Sequence, residues 1–319
     1  MSDVPVISLR NLEDSAQALA QLDAACRQWG FFQIVDHGLD TGRIEALERA
    51  AHQFFALPRA RKLEIERSAD NVWGYFDREL TKNRQDWKQI FDFGPTDAGG
   101  PLAQSTAQWP RELPGFRAAV EAHFQDCERI ALRLLDALAS NLGVPPGTLR
   151  QAFLPAHTSF LRLNYYPVCR QPAAPDAPTV GVQGELGIHH HTDAGALTVL
   201  LQDSQPGLQV LHDGAWRLVQ PLAGALTINI GDVVQVWSND RYRAPLHRVL
   251  ASARAERYSA AFFFNPSYAH DYAPVPGCCD ADHPPRYRPI NWGEFRAGRA
   301  AGDYADYGEE IQIEHFQVA

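Results

Sequence analysis

Cysteine pairs, basic runs and long apolar stretches are scarce in this chain, and each scarcity sets aside a class of function. The five cysteines, Cys26, Cys127, Cys169, Cys278 and Cys279, are odd in number, irregularly placed and without a CxxC pair. They give neither a disulfide framework nor a redox motif. Cys26 and Cys127 fall in expected helices as small buried residues, and the adjacent Cys278-Cys279 lies in a Pro/Gly-rich loop. Lys and Arg number 29 against 38 Asp and Glu, for a net charge of −9, and no basic cluster is long enough to form a strongly positive patch. Nucleic acid and anionic membrane are therefore not expected partners. No uninterrupted apolar stretch reaches membrane-spanning length. The segment Met1-Ser2-Asp3-Val4-Pro5-Val6-Ile7 has no positive region leading into an apolar one, so a cytoplasmic protein is expected. No internal repeat or long low-complexity tract is present.

What the chain does have is a core's worth of apolar residues, 45% hydrophobic and 10% aromatic, enough for one large domain or two. Val4 to Leu9 is a short apolar run. Between Glu13 and Gln28, residues Ala16, Leu19, Leu22 and Cys26 recur at helical spacing, and Phe31 to Val35 reads as a strand. A second helix is expected from Thr41 as N-cap through Ile44, Leu47, Ala51, Phe54 and Phe55, ending at Leu57-Pro58. Residues 94–115 read as a surface loop. The longest periodic segment carries Phe116, Val120, Phe124, Cys127, Ile130, Leu134, Leu135 and Leu138 on one stripe. Gly143 and Pro145-Pro146 stop it, which predicts a backbone helix lying across a sheet.

Beyond Leu154 the pattern changes to short β-rich segments at 159–166, 197–201, 207–211, 215–219, 225–230, 233–237, 245–250 and 257–264. That rhythm predicts a sandwich or barrel of antiparallel strands. From about Asp271 the tail is rich in Pro and Tyr, becomes helical near 291–298, and is expected to pack over the barrel mouth.

The chemistry concentrates in His191-Thr192-Asp193, in His247, and in Arg257-Tyr258-Ser259. Two imidazoles, a carboxylate and a nearby arginine are what a facial iron(II) site with an anionic cosubstrate needs. On a strand, residues i and i+2 share a face, so His191 and Asp193 can reach one ion while Thr192 points away. His247 must then arrive from a distant strand folded alongside. His189 shares the Asp193 face on a regular strand, so by alternation alone it competes with His191. Arg257 can hold a carboxylate through two parallel hydrogen bonds, and Ser259, two residues on, adds a hydroxyl on the same face. Arg162, Asn164 and Tyr166 share one face of the strand 159–166. Continuing the Arg257 alternation puts Ala261 and Phe263 inward, with Phe263 a candidate for stacking on substrate and Arg162 a candidate for a substrate carboxylate.

The blocks around these residues resemble a known family. Gly187 to Asp203, including His189-His190-His191-Thr192-Asp193-Ala194-Gly195-Ala196-Leu197-Thr198, is followed by Gly207-Leu208-Gln209-Val210 and Asn229-Ile230-Gly231-Asp232. Trp29-Gly30-Phe31-Phe32-Gln33-Ile34-Val35-Asp36-His37-Gly38 is similar to an N-terminal signature of the same family, with Asp36 where Asn is usual. Phe54-Phe55-Ala56-Leu57-Pro58, Asp86 to Phe93, Asn164-Tyr165-Tyr166-Pro167, Trp237 to Tyr242, His247-Arg248-Val249 and Phe262 to Pro266 follow in order. Together they resemble, over most of the chain, the iron(II)- and 2-oxoglutarate-dependent oxygenases of the isopenicillin N synthase-like, plant-type group.

The resemblance implies a mainly β fold with flanking helices, in which a double-stranded β-helix (jelly-roll) core carries a long backbone helix. It implies an N-terminal α/β region over 1–100, a catalytic core over 101–270 and a tail over 271–319. Its register selects His191 over His189, so that Fe(II) is held by His191, Asp193 and His247. The far carboxylate of 2-oxoglutarate falls to Arg257 and Ser259, with Tyr166 bonding it and Asn164 bordering the site. The implied reaction uses dioxygen to hydroxylate or desaturate a small metabolite, releasing succinate and carbon dioxide. Asp193 argues against halogenation, which in relatives uses a small residue in its place. Two other readings stand beside it: an isopenicillin N synthase-like oxidase that closes rings without 2-oxoglutarate, and a non-catalytic barrel that binds a small molecule. A monomer acting on a small molecule is expected.

Overall fold

The strand Arg257–Phe264 shows how the core is built. Its even members Tyr258, Ala260, Phe262 and Phe264 belong to the large apolar cluster under the helices, whereas Ala261 and Phe263 belong to a second cluster inside the barrel. Both faces of this strand are covered, as its near-continuous apolar sequence demands. In the computed structural model, which describes residues 4–82, 84–95, 104–304 and 311–318, it lies at the centre of an eight-stranded sheet.

The strands that build the barrel are β1 (Val6–Ser8), β2 (Phe31–Val35), β3 (Gly74–Phe76), β4 (Gln89–Phe93), β5 (Phe160–Tyr166), β6 (Leu186–His191), β7 (Leu197–Gln202), β8 (Leu208–His212), β9 (Ala215–Leu218), β10 (Leu226–Ile230), β11 (His247–Leu250) and β12 (Arg257–Phe264). The major sheet runs β1-β2-β10-β7-β12-β5-β4-β3 and the minor sheet β9-β8-β11-β6. Together they form the two layers of a double-stranded β-helix. The strands drawn from 1–100 supply both outer pairs of the major sheet, β1 with β2 at one edge and β4 with β3 at the other.

Helices cover the outer face of the major sheet. They are α1 (Ala16–Gln28), α2 (Thr41–Phe55) and α3 (Phe116–Asn141). The α3 stripe is buried from Phe116 to Leu138 except for half-buried Phe124, which meets Phe262 of β12 edge-on with ring centres 5.0 Å apart. Each such aromatic pair adds about 0.5–1.5 kcal/mol beyond its buried area. The helix ends in a Schellman motif. Gly143 takes φ +73°, the Val144 N–H donates to Ala139 O at 3.0 Å, and the Gly143 N–H donates to Ser140 O at 3.1 Å.

Two local expectations change. The N-cap of α2 is Asp40, whose carboxylate accepts from the Arg43 N–H at 3.1 Å, and Thr41 is the first helical residue. The segment 233–237 is not a strand but lies within a short helix, α4 (Asp232–Trp237). Its β-branched run is buried on all sides, which suits either conformation. The Asp232 N–H is taken by Asp193 O at 2.8 Å, which turns the chain out of the sheet at this point. The C-terminal helix α5 (Trp292–Tyr304) starts where expected and runs longer.

Candidate active site

His191 is the last residue of β6 and sits directly across from His247, the first residue of β11, in the antiparallel pairing of the two strands. The register slips between His247 and Val249, a bulge that adds local twist beside the pair. Asp193 lies two residues past the end of β6, so it reaches the cluster from the turn rather than from a regular strand face. Asp193 Oδ1 is 3.5 Å from His191 Nε2 and 3.7 Å from His247 Nε2. One donor atom from each residue lies within 4.8 Å of the others, and among the described residues this is the one such group of three.

The donors are oriented from behind. His191 Nδ1 bonds His189 O at 2.8 Å and His247 Nδ1 bonds Pro245 O at 3.0 Å. With Nδ1–H donating to a carbonyl, each ring turns an Nε2 lone pair to the centre. Asp193 Oδ2 accepts from Asn229 Nδ2 at 2.8 Å and from the Thr198 hydroxyl, which leaves Oδ1 for a metal. Burial alone raises the Asp193 carboxyl, but the two imidazoles and Asn229 outweigh it and hold the group well below the usual carboxylate range. Burial, with the neighbouring His191, lowers His247 to about 4, so its imidazole is neutral at pH 7 and free to coordinate.

His189 is elsewhere. Its backbone N–H and its Nδ1 both lie 3.0 Å from Asp86 Oδ1, and Lys88 Nζ closes that buried cluster at 3.0 Å from Asp86 Oδ2. Asp86 thus holds His189 away from the group formed by His191, Asp193 and His247.

Arg257, Ser259, Ala261 and Phe263 all line the cavity that holds the triad, as do Arg162, Asn164 and Tyr166. The pairing of β12 with β5 sets Arg257 opposite Tyr166 and Ser259 opposite Asn164. The Arg257 guanidinium lies 5.0 Å from the Tyr166 ring centre and donates from Nη2 to Gln202 Oε1 at 2.9 Å. Its Nε and Nη1 are buried and bond nothing in the protein, and Asn164 Oδ1 is in the same state. A buried donor without a partner costs about 1–3 kcal/mol, so two on one guanidinium mark a place for an anion.

Arg162, expected to meet a substrate carboxylate, lines the cavity with two acids behind it. Its guanidinium is held by Asp92 at 2.8 Å and by Glu79 at 2.9 Å. Phe263 is stacked on Phe160 with ring centres 4.7 Å apart. Sequence reasoning missed Thr198 and Asn229 behind Asp193, and it missed the α5 residues Trp292, Arg296 and Arg299 in the cavity lining. The block Asn229-Ile230-Gly231-Asp232 was a signal, but nothing in spacing says which ligand Asn229 supports.

The donor set fits iron, and the unbonded Nε and Nη1 of Arg257 in the same cavity fit a ketoacid with a distal carboxylate. Comparison with known proteins agrees. Residues 157–266 match the model of the 2OG-Fe(II) oxygenase superfamily, and residues 4–114 match that of the N-terminal region of a non-haem dioxygenase in morphine synthesis. Jasmonate-induced oxygenase 4 of Arabidopsis thaliana is 32% identical over 302 residues, covering 92% of this chain and 81% of that protein. Gibberellin 20 oxidase 2 of Oryza sativa subsp. indica is 35% identical over 304 residues, covering 92% and 74%. The crystal structure of JOX2 in complex with 2OG, Fe and JA superposes with a TM-score of 0.79 at 30% identity, covering 93% of this chain and 84% of that one.

The ring-closing oxidase and the non-catalytic barrel give way to an oxidoreductase that uses Fe(II), 2-oxoglutarate and dioxygen on a small molecule. No described helix is long and apolar enough to cross a membrane. From its N-terminal strands to its jelly-roll, the chain belongs to the 2OG-Fe(II) oxygenase superfamily.

Proposed function

We propose that His191, Asp193 and His247 hold the iron, that Arg257 and Ser259 hold the distal carboxylate of 2-oxoglutarate, and that Tyr166 and Asn164 border that carboxylate. The observation that carries the assignment is the pair of unpartnered N–H groups on buried Arg257, in the same cavity as the triad. When bound, iron and 2-oxoglutarate together supply the oxidising power for hydroxylation or desaturation, with release of succinate and carbon dioxide.

The chain's own residues do the rest. The two histidines and Asp193 would hold the ion from one side, and iron bound there would have positions left for the ketoacid and dioxygen. Thr198 and Asn229 hold Asp193 Oδ2 and so turn Oδ1 inward. Tyr166 packs against the Arg257 guanidinium, and Leu200, Leu208 and Val249 add apolar lining to the same cavity, which favours a charge-assisted bond there. Phe160 and Phe263 present an apolar wall to the substrate.

The test is anaerobic addition of Fe(II) and then 2-oxoglutarate to the apo-protein, read by the visible charge-transfer band. His247→Ala abolishes the band. Arg257→Ala keeps iron but requires far more 2-oxoglutarate. A band unaffected by either substitution overturns the assignment. The same reading takes the enzyme as a cytoplasmic monomer with no nucleic-acid partner, in keeping with its net charge of −9; light scattering and a nucleic-acid shift assay check the last two points.

A further inference from the structure

The strand that carries His191 is weakly pinned by its own sheet. β6 lies at the edge of the minor sheet, with β11 as its one partner among the described strands, and the register of that pairing shifts twice, between His247 and Val249 and between Val249 and Leu250. An irregular ladder on one side of an edge strand leaves its position to be set from the other side. That other side is taken by Asp86-Trp87-Lys88, the segment leading into β4. The Trp87 N–H donates to Leu186 O at 2.9 Å. Asp86 then grips the strand with a side chain: its Oδ1 accepts the His189 N–H at 3.0 Å and lies 3.0 Å from His189 Nδ1.

The bonds continue inward to the triad. His189 O lies 2.8 Å from His191 Nδ1, so the residue held by Asp86 presents the carbonyl that orients the His191 ring. Asp86 is itself fixed from behind, since Oδ2 accepts from the Thr81 hydroxyl at 2.8 Å and lies 3.0 Å from Lys88 Nζ. The Asp86 side chain is wholly buried and that of Lys88 is 2% exposed. A buried ion pair is a poor device for stability alone, because an apolar pair of the same shape often serves as well or better. What an apolar pair cannot do is accept two donors of His189 on one oxygen while the other oxygen is anchored.

We propose that Asp86 is a positioning residue for the iron ligand His191: anchored by Lys88 and Thr81, it pins His189 and thereby sets the lie of β6 and the plane of the His191 ring. The inference rests on the assignment of His191, Asp193 and His247 to iron. Asp86 touches neither the ion nor the His191 ring and acts through the strand between them.

The test titrates apo-protein with Fe(II) against a competing chelator, and with Co(II), whose visible bands report the geometry of its ligands. Asp86→Leu combined with Lys88→Met replaces both buried charges by apolar groups of similar size, and thermal unfolding checks that the protein is folded. Its Fe(II) affinity is expected to fall by about tenfold, the lower end of what losing an outer partner of a ligand costs, and its Co(II) bands to shift. Asp86→Asn combined with Lys88→Met keeps a neutral acceptor and recovers most of the loss. His189→Ala keeps the backbone N–H and carbonyl of that residue and stays near wild type in both readouts. Val120→Ala, which opens a gap in buried α3, lowers stability and moves neither.

Unchanged affinity and bands in the folded Asp86→Leu, Lys88→Met protein, or equal losses in it and in the Asp86→Asn, Lys88→Met protein, overturn the proposal. Thr81→Val strands no charge and loosens Asp86, so it gives a smaller shift of the same Co(II) bands; bands that stay put overturn the proposal even where the double variant does not fold. His191→Ala separates the two readings. Loss of Fe(II) there, with wild-type behaviour of the Asp86 variants, keeps the triad and removes Asp86; Fe(II) binding intact in His191→Ala removes His191 as a ligand and the proposal with it.

Discussion

Asn229 donates to the rear oxygen of Asp193 at 2.8 Å, and in doing so it fixes which oxygen faces His191 and His247. Asn229 belongs to β10 of the major sheet, and its neighbour across the strands is Thr198 of β7, the second donor to the same oxygen. Two adjacent strands therefore hold one carboxylate. Asn229→Ala or Thr198→Val is expected to weaken Fe(II) by about tenfold or more, the usual cost of losing an outer partner of a ligand. The double variant should lose less than the product of the two single effects, since both act on one oxygen. Metal titration followed by competition with a chelator measures this, and unchanged affinity in both single variants would remove the orienting role.

Arg257→Lys keeps the charge and loses the fork. The expected result is a rise in the 2-oxoglutarate concentration for half-saturation of about tenfold, with a larger rise for Arg257→Ala. Iron binding without the ketoacid should be untouched in both. If lysine restores full affinity, a point charge suffices and paired N–H groups do not matter.

Glu79 gives stability a dependence on acid. Burial alone would raise its carboxyl, but Arg162, Arg67 and Lys88 outweigh burial and bring it down to about 2. A carboxylate depressed in the folded state stabilises above its unfolded value, here the ordinary 4.5. That contribution is lost as pH falls from about 4.5 towards 2, and its size is on the order of 3 kcal/mol. Urea unfolding at several pH values should therefore show a steep fall in stability across this window. Glu79→Gln should lower stability at pH 7 and flatten the fall; an unchanged slope would assign the acid sensitivity to other groups.

Gly231 marks a close approach. A Cβ built there would stand 2.2 Å from Gly195 O and 2.7 Å from Asp193 O, both backbone atoms. Its backbone conformation is extended and unstrained, so the demand for glycine is one of space. Gly231→Ala should push the turn carrying Asp193 outward, costing about 1–3 kcal/mol of stability and weakening iron binding in the same protein. Thermal unfolding together with metal titration tests both halves, and a stable variant with normal iron affinity would show that the turn can yield.

How far the sequence could be read depended on whether a residue's neighbours were local. Arg257, Ser259, Ala261 and Phe263 fall on the cavity side because period-two alternation needs no knowledge of the rest of the chain. His191 and His247 are legible as residue types, and their family blocks place them, yet the bulge that sets their pairing leaves no mark in spacing. Arg162 and Arg296 are both arginines within cavity-lining segments. Only the fold reveals that Glu79 and Asp92 converge on the first, while among the described residues the second meets no acid. The short helix α4 read as a strand because Val233, Val234 and Val236 suit both conformations once buried, and what selects the helix is a hydrogen bond to Asp193 O. The vicinal Cys278-Cys279 remains outside the site, both thiols pushed up by burial.

The order in which the major sheet is assembled sets a timetable for the newborn chain. β1 and β2 leave the ribosome early, but the strand that closes against β2 is β10, Leu226–Ile230, synthesised long after. The β3 and β4 pair likewise waits for β5. During that interval apolar residues such as Phe32 and Ile34, destined for the core, have no sheet to join. Pairings this distant in sequence fold slowly and leave open edges prone to wrong partners. The residues proposed to hold iron and 2-oxoglutarate are thus brought together only after His247 and Arg257 have been made.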